Sequence, residues 1–279
     1  MSKHESSEGE LEKIEITLLL EGIYRRYGYD FRNYSYASIR RRIWHRINLE
    51  GLANVSFLQE RVMHDSDTFL RLLGDLVIPV TEMFRDPDMF QAFRKEVVPL
   101  LRNLPYIRIW HAGCSTGEEV HSMAIMLHEE GLLDKTRIYA TDINENALQR
   151  AKDGIIPINN MKLYTKNYQA SGGAQSFSDY YASDHGIVML KPYLRNNIVF
   201  ARHNLVTDQS FNEFHVIMCR NVMIYFNAQL RDQVHRLFYE SLAKQGFLIV
   251  GGKESISFTP VAERYETWND QQRIFRKIR

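Results

Sequence analysis

The sequence predicts an α/β domain with a mostly parallel sheet, preceded by a small all-helical domain. Three observations predict this architecture. The N-terminal part shows only helical periodicity, the chain after residue 107 alternates short apolar runs with helical segments, and polar residues follow the ends of those runs. Alternation of this kind is typical of a parallel sheet with helices on both faces.

Composition limits the class of protein. The chain has 279 residues, of which 44% are hydrophobic and 25% are charged, as in an ordinary globular protein. No apolar run approaches the ~18 residues of a membrane span, and the acidic first ten residues do not resemble a secretory signal. The cysteines are Cys114 and Cys219 alone, which favours a reducing, cytoplasmic location. The net charge of +1 gives no general attraction to nucleic acid or membranes.

The helical domain is predicted over residues 16–78, after a tail at 1–15 that we expect to be disordered. The first helix ends before Gly28 and the second before Gly51, because glycine is typical of helix C-termini. Apolar residues three or four positions apart identify the second helix: Tyr36, Ile39, Ile43 and Ile47. Two more helices are predicted at 55–64 and 67–77.

The second helix also carries a cluster of basic residues without an acid among them: Arg40, Arg41, Arg42, His45 and Arg46. A solvated helix face is one interpretation, because charged helix surfaces are common. A docking surface for an acidic partner is the other, because the positive charge is concentrated.

The apolar runs predict the strands of the sheet. In chain order they are IRIWHAG, RIYATD, NIVFARHNL, FHVIMCRN and GFLIVGG. RYETW and QRIFRKI flank the turn candidate Asn269-Asp270, which predicts an antiparallel hairpin at one edge. Residues 160–196 interrupt the alternation and are rich in Gly, Ser and Tyr. They predict an inserted flap of two or three strands, with a surface loop as the alternative.

Candidate binding residues follow the strands, because open parallel sheets bind ligands at the carboxyl ends of their strands. Glu119 could accept a hydrogen bond from a ligand ammonium, and Asp142 has the spacing of a ribose-binding carboxylate. Gly113 and Gly117 would let a ligand approach the backbone, and Asn204 and Asn221 follow later strands. Each polar residue could instead cap the next helix. The loop is not G-x-G-x-x-G, and no His/Cys metal spacing occurs, so the set favours a nucleoside with a charged amino-acid tail.

Several runs are recognisable together: VTEMFRD, WHAGCSTGEE, YATDIN, Asn204-Leu205 and CRNVMIYF. They resemble the CheR family of chemotaxis-receptor glutamate methyltransferases, over nearly the whole chain. The resemblance implies a Rossmann-like S-adenosylmethionine-dependent methyltransferase domain at 107–279, with a small β subdomain inserted at about 160–196. A linker and cofactor-contacting segment, 79–106, would join it to the all-α N-terminal domain.

The resemblance also implies the cofactor and the residues that bind it. S-adenosylmethionine would be the donor and S-adenosylhomocysteine the product, without a metal. Glu119 matches the acid that holds the methionine amino group, and Asp142 matches the ribose-binding acid. The other implied cofactor contacts are Thr81, Arg85, Gly113, Asn204, Leu205, Asn221 and Val222.

The implied reaction is methylation of glutamate side chains of a chemoreceptor or a related signalling protein. A glutamate carboxylate is already ionised at neutral pH, so no general base is needed. Strong hydrogen bonds to it would stabilise the ground state more than the transition state. We therefore expect Arg85 and Tyr225, which match the family's catalytic positions, to orient the acceptor.

The resemblance implies an acidic helical methylation region as the partner, which we expect Arg41, Arg42 and Arg46 to bind. The flap lacks the short G-x-G turn of members that grip a receptor's C-terminal pentapeptide, which argues against that tether. Neither nucleic acid nor membrane insertion is expected.

Three alternatives remain open from the sequence. A methyltransferase of a non-receptor protein or of nucleic acid would share the cofactor domain, although no N-P-P-Y-like segment is present. A nicotinamide dehydrogenase fits the sheet but not the loop. A non-catalytic, cofactor-binding signalling adaptor would not need Arg85 or Tyr225.

Overall fold

The computed structural model describes residues 3–77, 81–184 and 186–278, without the side chains of residues 3–8 and 184. The chain forms two compact units. The helical unit comprises Met1–Ile78 with Tyr225–Arg231, and the sheet unit comprises Pro79–Ile224 with Asp232–Arg279. Within the described ranges, no helix combines the length and the apolar character that crossing a membrane requires.

The helical unit contains the predicted helices: α1 Lys3–Tyr27, α2 Tyr36–Leu49, α3 Val55–His64 and α4 Ser66–Leu76. Their apolar stripes form one buried core, in which Leu19, Ile43 and Leu72 are fully buried. Side-chain caps fix two of the helix starts, because Asn54 accepts from a backbone N–H of α3 and Asp65 from two of α4.

The disordered tail predicted over residues 1–15 is wrong from Lys3 onwards, where α1 begins, and residues 1 and 2 lie outside the described residues. The predicted helix began where the apolar stripe begins, but charged contacts hold the helix before that point. Glu12 accepts hydrogen bonds from the side chains of Arg40 and Trp44 of α2. A stabilising partner 28 or more residues away leaves no periodic signal in the tail itself.

The described part of the sheet unit contains two sheets. Its strands are β1 Ile107–Ala112, β2 Thr136–Asp142, β3 Ile155–Ile156, β4 Tyr181–Asp184, β5 Ile187–Leu190, β6 Ile198–Arg202, β7 Phe214–Cys219, β8 Leu242–Val250, β9 Tyr265–Asn269 and β10 Ile274–Lys277. Within the described residues, the large sheet has the order β6-β2-β1-β7-β8-β10-β9. Strands β6, β2, β1, β7 and β8 are parallel, and the edge hairpin β9–β10 is antiparallel, as predicted. The strand order reverses between β1 and β7, which is where such sheets bind ligands.

Six further α-helices lie after residue 86 in the described part of the chain. They are α5 Pro87–Ala92, α6 Val98–Leu101, α7 Glu118–Glu129, α8 Glu145–Asp153, α9 Met161–Ala170 and α10 Ala228–Ser241. A π-helical segment, Phe93–Val97, joins α5 to α6.

The segment 79–106 is not a linker where the structure describes it. Phe84, Phe90 and Phe93 are fully buried in the core of the sheet unit, together with residues of α7 and of the sheet. The sequence prediction followed the family resemblance for this segment and overlooked its apolar spacing. Residues 78–80, where the predicted domain boundary falls, lie outside the described residues.

The insertion is a three-stranded antiparallel sheet in the order β3-β5-β4, as the flap interpretation predicts. It starts at Ile155 rather than near residue 160, and it includes α9, which the sequence analysis missed. Tyr168 and Tyr180 are buried and donate hydrogen bonds from their hydroxyls to Glu129 of α7. The surface-loop alternative is therefore wrong, because buried aromatic residues tie the insertion to the sheet unit.

Candidate active site

The loop after β1 makes a tight turn at the carboxyl edge of the sheet. Gly113 and Gly117 have φ values of +77° and +91°, in the left-handed region that favours glycine. A Cβ at Gly113 would lie 2.5 Å from Val222 Cγ2, and one at Gly117 would lie 2.7 Å from Ala151 Cβ. Close packing within the protein therefore requires both glycines, independently of the ligand approach that the sequence predicts.

Asp142 ends β2 beside this loop. It is 6% exposed, and its two carboxylate oxygens accept backbone N–H bonds from Ser115 at 2.8 Å and from Asn144 at 2.9 Å. Burial raises the pKa of Asp142, although these backbone donors act in the opposite direction. A carboxylate has about four acceptor positions, so the backbone bonds to Asp142 leave capacity for a hydroxyl group.

Glu119 lies in the first turn of α7. Its Oε1 accepts a hydrogen bond from His111 Nδ1 at 3.0 Å, and its Oε2 accepts one from Arg220 Nη1 at 2.8 Å. Burial alone would raise the pKa of Glu119, but the charge of Arg220 and the bond from His111 outweigh it and lower the pKa to about 2. Glu119 is therefore an anion at neutral pH, as a group that binds an ammonium must be.

Arg220 connects Glu119 to the turn that carries Arg85. The same Nη1 that bonds to Glu119 lies 3.4 Å from the carbonyl oxygen of Arg85, and Nη2 pairs with Asp86. The side chain of Arg220 is 3% exposed. Sequence reasoning missed this arginine, although it lies inside the run CRNVMIYF.

The turn at Arg85 is also fixed on its other side. Phe84 and Asp86 both have left-handed backbone conformations, with φ values of 51° and 55°. The backbone N–H of Phe84 donates to Ser122 of α7 at 2.8 Å, and its ring contacts Tyr168 of the insertion with centroids 5.2 Å apart. The insertion therefore supports the segment that positions Arg85.

Asn204, the amide that follows the third strand of the large sheet, forms a hydrogen bond within its own loop. Asn204 is buried, and its side-chain oxygen accepts the backbone N–H of Val206 at 3.0 Å. The next element after Asn204 is the strand β7, so this bond closes a local turn and does not cap a helix. Leu205 next to it is buried, and Thr81 is half-buried.

The loop after β7 holds Asn221, with a φ of 61°, and Val222. Both donate their backbone N–H to the carboxylate of Glu254, at 2.9 Å and 3.0 Å. The sequence analysis gave Glu254 no role. The sequence signal for Glu254 is a single acid that closely follows the buried-strand pattern GFLIVGG.

Tyr225 belongs to the helical unit, although the sequence analysis placed it in the methyltransferase domain. Its carbonyl accepts the backbone N–H of Ser35 at 2.8 Å, and Phe226 forms an antiparallel bridge with Tyr34. The guanidinium carbon of Arg42 lies 4.5 Å from the centroid of the Tyr225 ring.

Two of the arginines expected to dock a partner have bonding partners within the helical unit. Arg42 is 5% exposed and donates to the carbonyl of Leu76 at the end of α4. Arg46 donates to Asp75 at 2.6 Å and also pairs with Glu50. Acidic residues of other helices, such as Asp75 of α4, pair with the arginines of α2. The basic surface of α2 is therefore not uniformly positive. Arg41 is exposed.

Comparisons with known proteins identify the family. The model of the CheR methyltransferase SAM-binding domain matches residues 79–272, and that of the CheR all-alpha domain matches residues 14–77. The chain belongs to the CheR methyltransferase family. It is therefore an S-adenosylmethionine-dependent methyltransferase.

Three relatives each match more than four fifths of this CheR-family chain. A Pseudomonas putida protein provisionally named methyltransferase Cher3 is 54% identical, over 95% of this chain and 97% of that protein. The chemotaxis protein methyltransferase of Listeria monocytogenes is 29% identical over 82% of this chain and 85% of its own length. That of Salmonella typhimurium is 27% identical over 84% and 81%.

The site residues fit the cofactor that the family implies. Ser115 Oγ and His111 Nε2 are buried without a hydrogen-bond partner among the described residues, so a polar ligand would satisfy them. An anionic Glu119 and a carboxylate at Asp142 match an ammonium and ribose hydroxyls. Over the same residues, no group of three or more His, Cys, Asp or Glu side chains could hold a metal ion.

Proposed function

We propose that this CheR-family enzyme methylates glutamate side chains of a chemoreceptor or a related signalling protein. The observation that carries the proposal is the chain of contacts from Glu119 through Arg220 to the backbone of Arg85. It links the carboxylate suited to the cofactor's ammonium with the arginine suited to an acceptor carboxylate. The relatives named chemotaxis protein methyltransferases support the same substrate class.

In this proposal the cofactor binds along the carboxyl edge of the sheet. Glu119 holds the ammonium of the methionine moiety, and Asp142 binds the ribose hydroxyls. When bound, the cofactor supplies an electrophilic methyl group. The remaining proposed contacts are Thr81, Arg85, Gly113, Asn204, Leu205, Asn221 and Val222. No metal takes part.

Arg85 and Tyr225 orient the acceptor carboxylate and do not transfer protons. The acceptor is ionised at neutral pH, so the enzyme needs to fix its position and to exclude water. An arginine and a phenol can each donate one directional hydrogen bond to a carboxylate oxygen.

The partner in this proposal is the acidic helical methylation region of a cytoplasmic signalling protein. Arg41 is the proposed contact on α2, because its side chain is exposed while Arg42 and Arg46 are engaged within the helical unit. A C-terminal pentapeptide tether, nucleic acid binding and membrane insertion are not part of the proposal.

The deciding experiment incubates the protein with methyl-labelled cofactor and purified cytoplasmic fragments of chemoreceptors. The expected result is label that base releases as methanol, with glutamate residues gaining the mass of one methylene by mass spectrometry. Base-stable label on protein would contradict glutamate as the acceptor. Label on added nucleic acid, with none on protein, would favour the nucleic-acid alternative.

A further inference from the structure

A carboxylate surrounded by backbone N–H groups lies behind the loop that follows β7. Glu254 is 5% exposed. Its Oε2 accepts from Asn221 N at 2.9 Å and Gly251 N at 2.6 Å, and its Oε1 accepts from Val222 N at 3.0 Å and Ile224 N at 3.2 Å. Among the described residues it has no ion pair, so peptide N–H dipoles surround the charge. Burying a charged group is costly unless such bonds compensate it.

Three of these donors belong to one short loop, residues 221–224, which we call the β7 loop. Its first residue, Asn221, has a left-handed backbone conformation with a φ of 61°. Asparagine adopts this conformation more readily than most non-glycine residues, and the backbone bond to Glu254 holds Asn221 in it. The buried N–H groups of the loop also need an acceptor, and Glu254 is the acceptor for three of them. The carboxylate therefore sets the path of the β7 loop.

The approach of Glu254 to the loop depends on a glycine. A Cβ at Gly251 would lie 2.7 Å from Glu254 Oε2 and 2.9 Å from Asn221 N. A Cβ at the neighbouring Gly252 would meet nothing within 4 Å. A methyl group at 251 must displace the carboxylate or the loop, whereas one at 252 has open space.

The β7 loop in turn contacts the loop after β1. Val222 is the residue whose Cγ2 a Cβ at Gly113 would meet at 2.5 Å. A shift of Val222 therefore opens or crowds the turn at Gly113. Through one loop, Glu254 controls two parts of the carboxyl edge of the sheet.

We propose that Glu254 is a positioning residue for the cofactor, because it holds the β7 loop where Asn221 and Val222 can contact S-adenosylmethionine. The proposal rests on the cofactor contacts proposed above for these two residues. It goes further in assigning a role to a residue that does not itself touch the ligand. The competing explanation is that Glu254 only stabilises the fold.

Two substitutions disturb the arrangement in different ways. Glu254→Gln keeps the size but replaces one acceptor oxygen with an NH₂ group that faces N–H donors. Gly251→Ala keeps the carboxylate but forces it away from the loop. Gly252→Ala is the matched glycine control, and Glu263→Gln, at an exposed position, is the matched carboxyl control.

The test is calorimetric binding of S-adenosylhomocysteine to the whole chain, at a temperature where thermal unfolding shows each variant to be folded. Glu254→Gln and Gly251→Ala should each raise the Kd at least about tenfold, the effect of losing a well-placed hydrogen bond to a ligand. Gly252→Ala and Glu263→Gln should bind like the wild type.

The outcomes separate the explanations. Folded Glu254→Gln and Gly251→Ala proteins that bind with wild-type affinity, even with lowered Tm, would overturn the positioning role. If Glu254→Gln does not fold, Gly251→Ala decides the question alone. If the wild-type protein does not bind S-adenosylhomocysteine, the proposed cofactor site is overturned together with the role of Glu254. The wild type alone reveals this outcome, so it is distinguishable from a failure of the Glu254 proposal.

Discussion

The guanidinium of Arg42 stacks over the ring of Tyr225, with its Cζ 4.5 Å from the ring centroid. The same side chain donates to the carbonyl of Leu76, the last residue of α4. A cation at the C-terminus of a helix is favourable because the carbonyl groups there carry partial negative charge. One buried arginine therefore joins α2, the end of α4 and the segment of Tyr225 within the helical unit.

Arg42→Met is expected to lower the free energy of unfolding by about 1–3 kcal/mol, because the Leu76 carbonyl loses its donor and the Tyr225 ring its cation. Denaturant titration measures the loss. Arg41→Met, one residue away on the exposed face, is the control and should stay within about 0.5 kcal/mol of the wild type. If the two variants were equally stable, the contacts of Arg42 with Leu76 and Tyr225 would not stabilise the helical unit.

Arg41→Glu should weaken recognition of an acidic acceptor without affecting the fold. The KM for the acceptor should rise at least about threefold in low salt, because an exposed charge of the wrong sign opposes encounter. The difference should shrink at higher ionic strength, where such charges are screened. A KM equal to that of the wild type in low salt would leave α2 as a solvated surface.

Asp142→Ala should weaken cofactor binding by about 10- to 100-fold, the usual range for losing hydrogen bonds to a charged group. Calorimetry with S-adenosylhomocysteine measures this. Glu145→Ala, at an exposed acid in the first turn of α8, is the control and should bind normally. Asp142→Ala protein that is folded and binds like the wild type would argue against the ribose-binding role.

Arg85→Ala should reduce the rate of methyl transfer by at least about 100-fold, because orientation of the acceptor is lost. Its effect on thermal unfolding should be small by comparison, since Phe84 and Asp86 still fix the turn. Lys95→Ala, an exposed cation on the π-helical segment, controls for loss of charge. Normal turnover by Arg85→Ala would end the orienting proposal.

His121 predicts a pH dependence of stability. It is buried, and desolvation lowers its pKa to about 4, although its bond to the Ala151 carbonyl acts in the opposite direction. The folded state therefore favours the neutral ring. The contribution of His121 to the free energy of unfolding is fully present above pH 6.5. It is lost as the pH falls from 6.5 to 4, and the total loss is about 3 kcal/mol.

His121→Gln should remove that loss, because glutamine can still donate to Ala151 but does not titrate. Denaturant titrations between pH 4 and pH 7 measure the difference from the wild type. Glu119, whose pKa is lowered from 4.5 to about 2, loses its stabilising effect as the pH falls from 4.5 to 2, so it overlaps with His121 only at the lower end of this range. A parallel decline in both proteins would show that His121 is not responsible. His45→Gln, at an exposed histidine, should behave like the wild type.

The sequence predicted the features that repeat locally. The helices α2 and α3, the parallel strands and the edge hairpin each have a pattern of apolar residues and a stop residue within about a dozen positions. The polar residues at the strand ends, such as Asp142, followed from the topology of parallel sheets. Once strands are recognised, these positions need no knowledge of distant contacts.

The sequence analysis missed the features that depend on long-range pairs. Asp75, one of the two acids that pair with Arg46, is 29 residues away in the chain. Arg220 reaches an acid, Glu119, that is 101 residues away, and Glu254 serves amides more than 30 residues away. Burial decides the role of each charged side chain, and burial is a property of the fold rather than of the local sequence.

The segment Tyr225–Arg231, though far along the chain, completes the compact unit of the N-terminal helices. Consider a chimera in which only the first 78 residues come from a relative. It would pair the relative's residues at positions 34 and 42 with Tyr225 and Phe226 of this chain. Functional chimeras should arise when both stretches come from the same parent. The two stretches should therefore be inherited together as one evolutionary module, despite their separation in the gene.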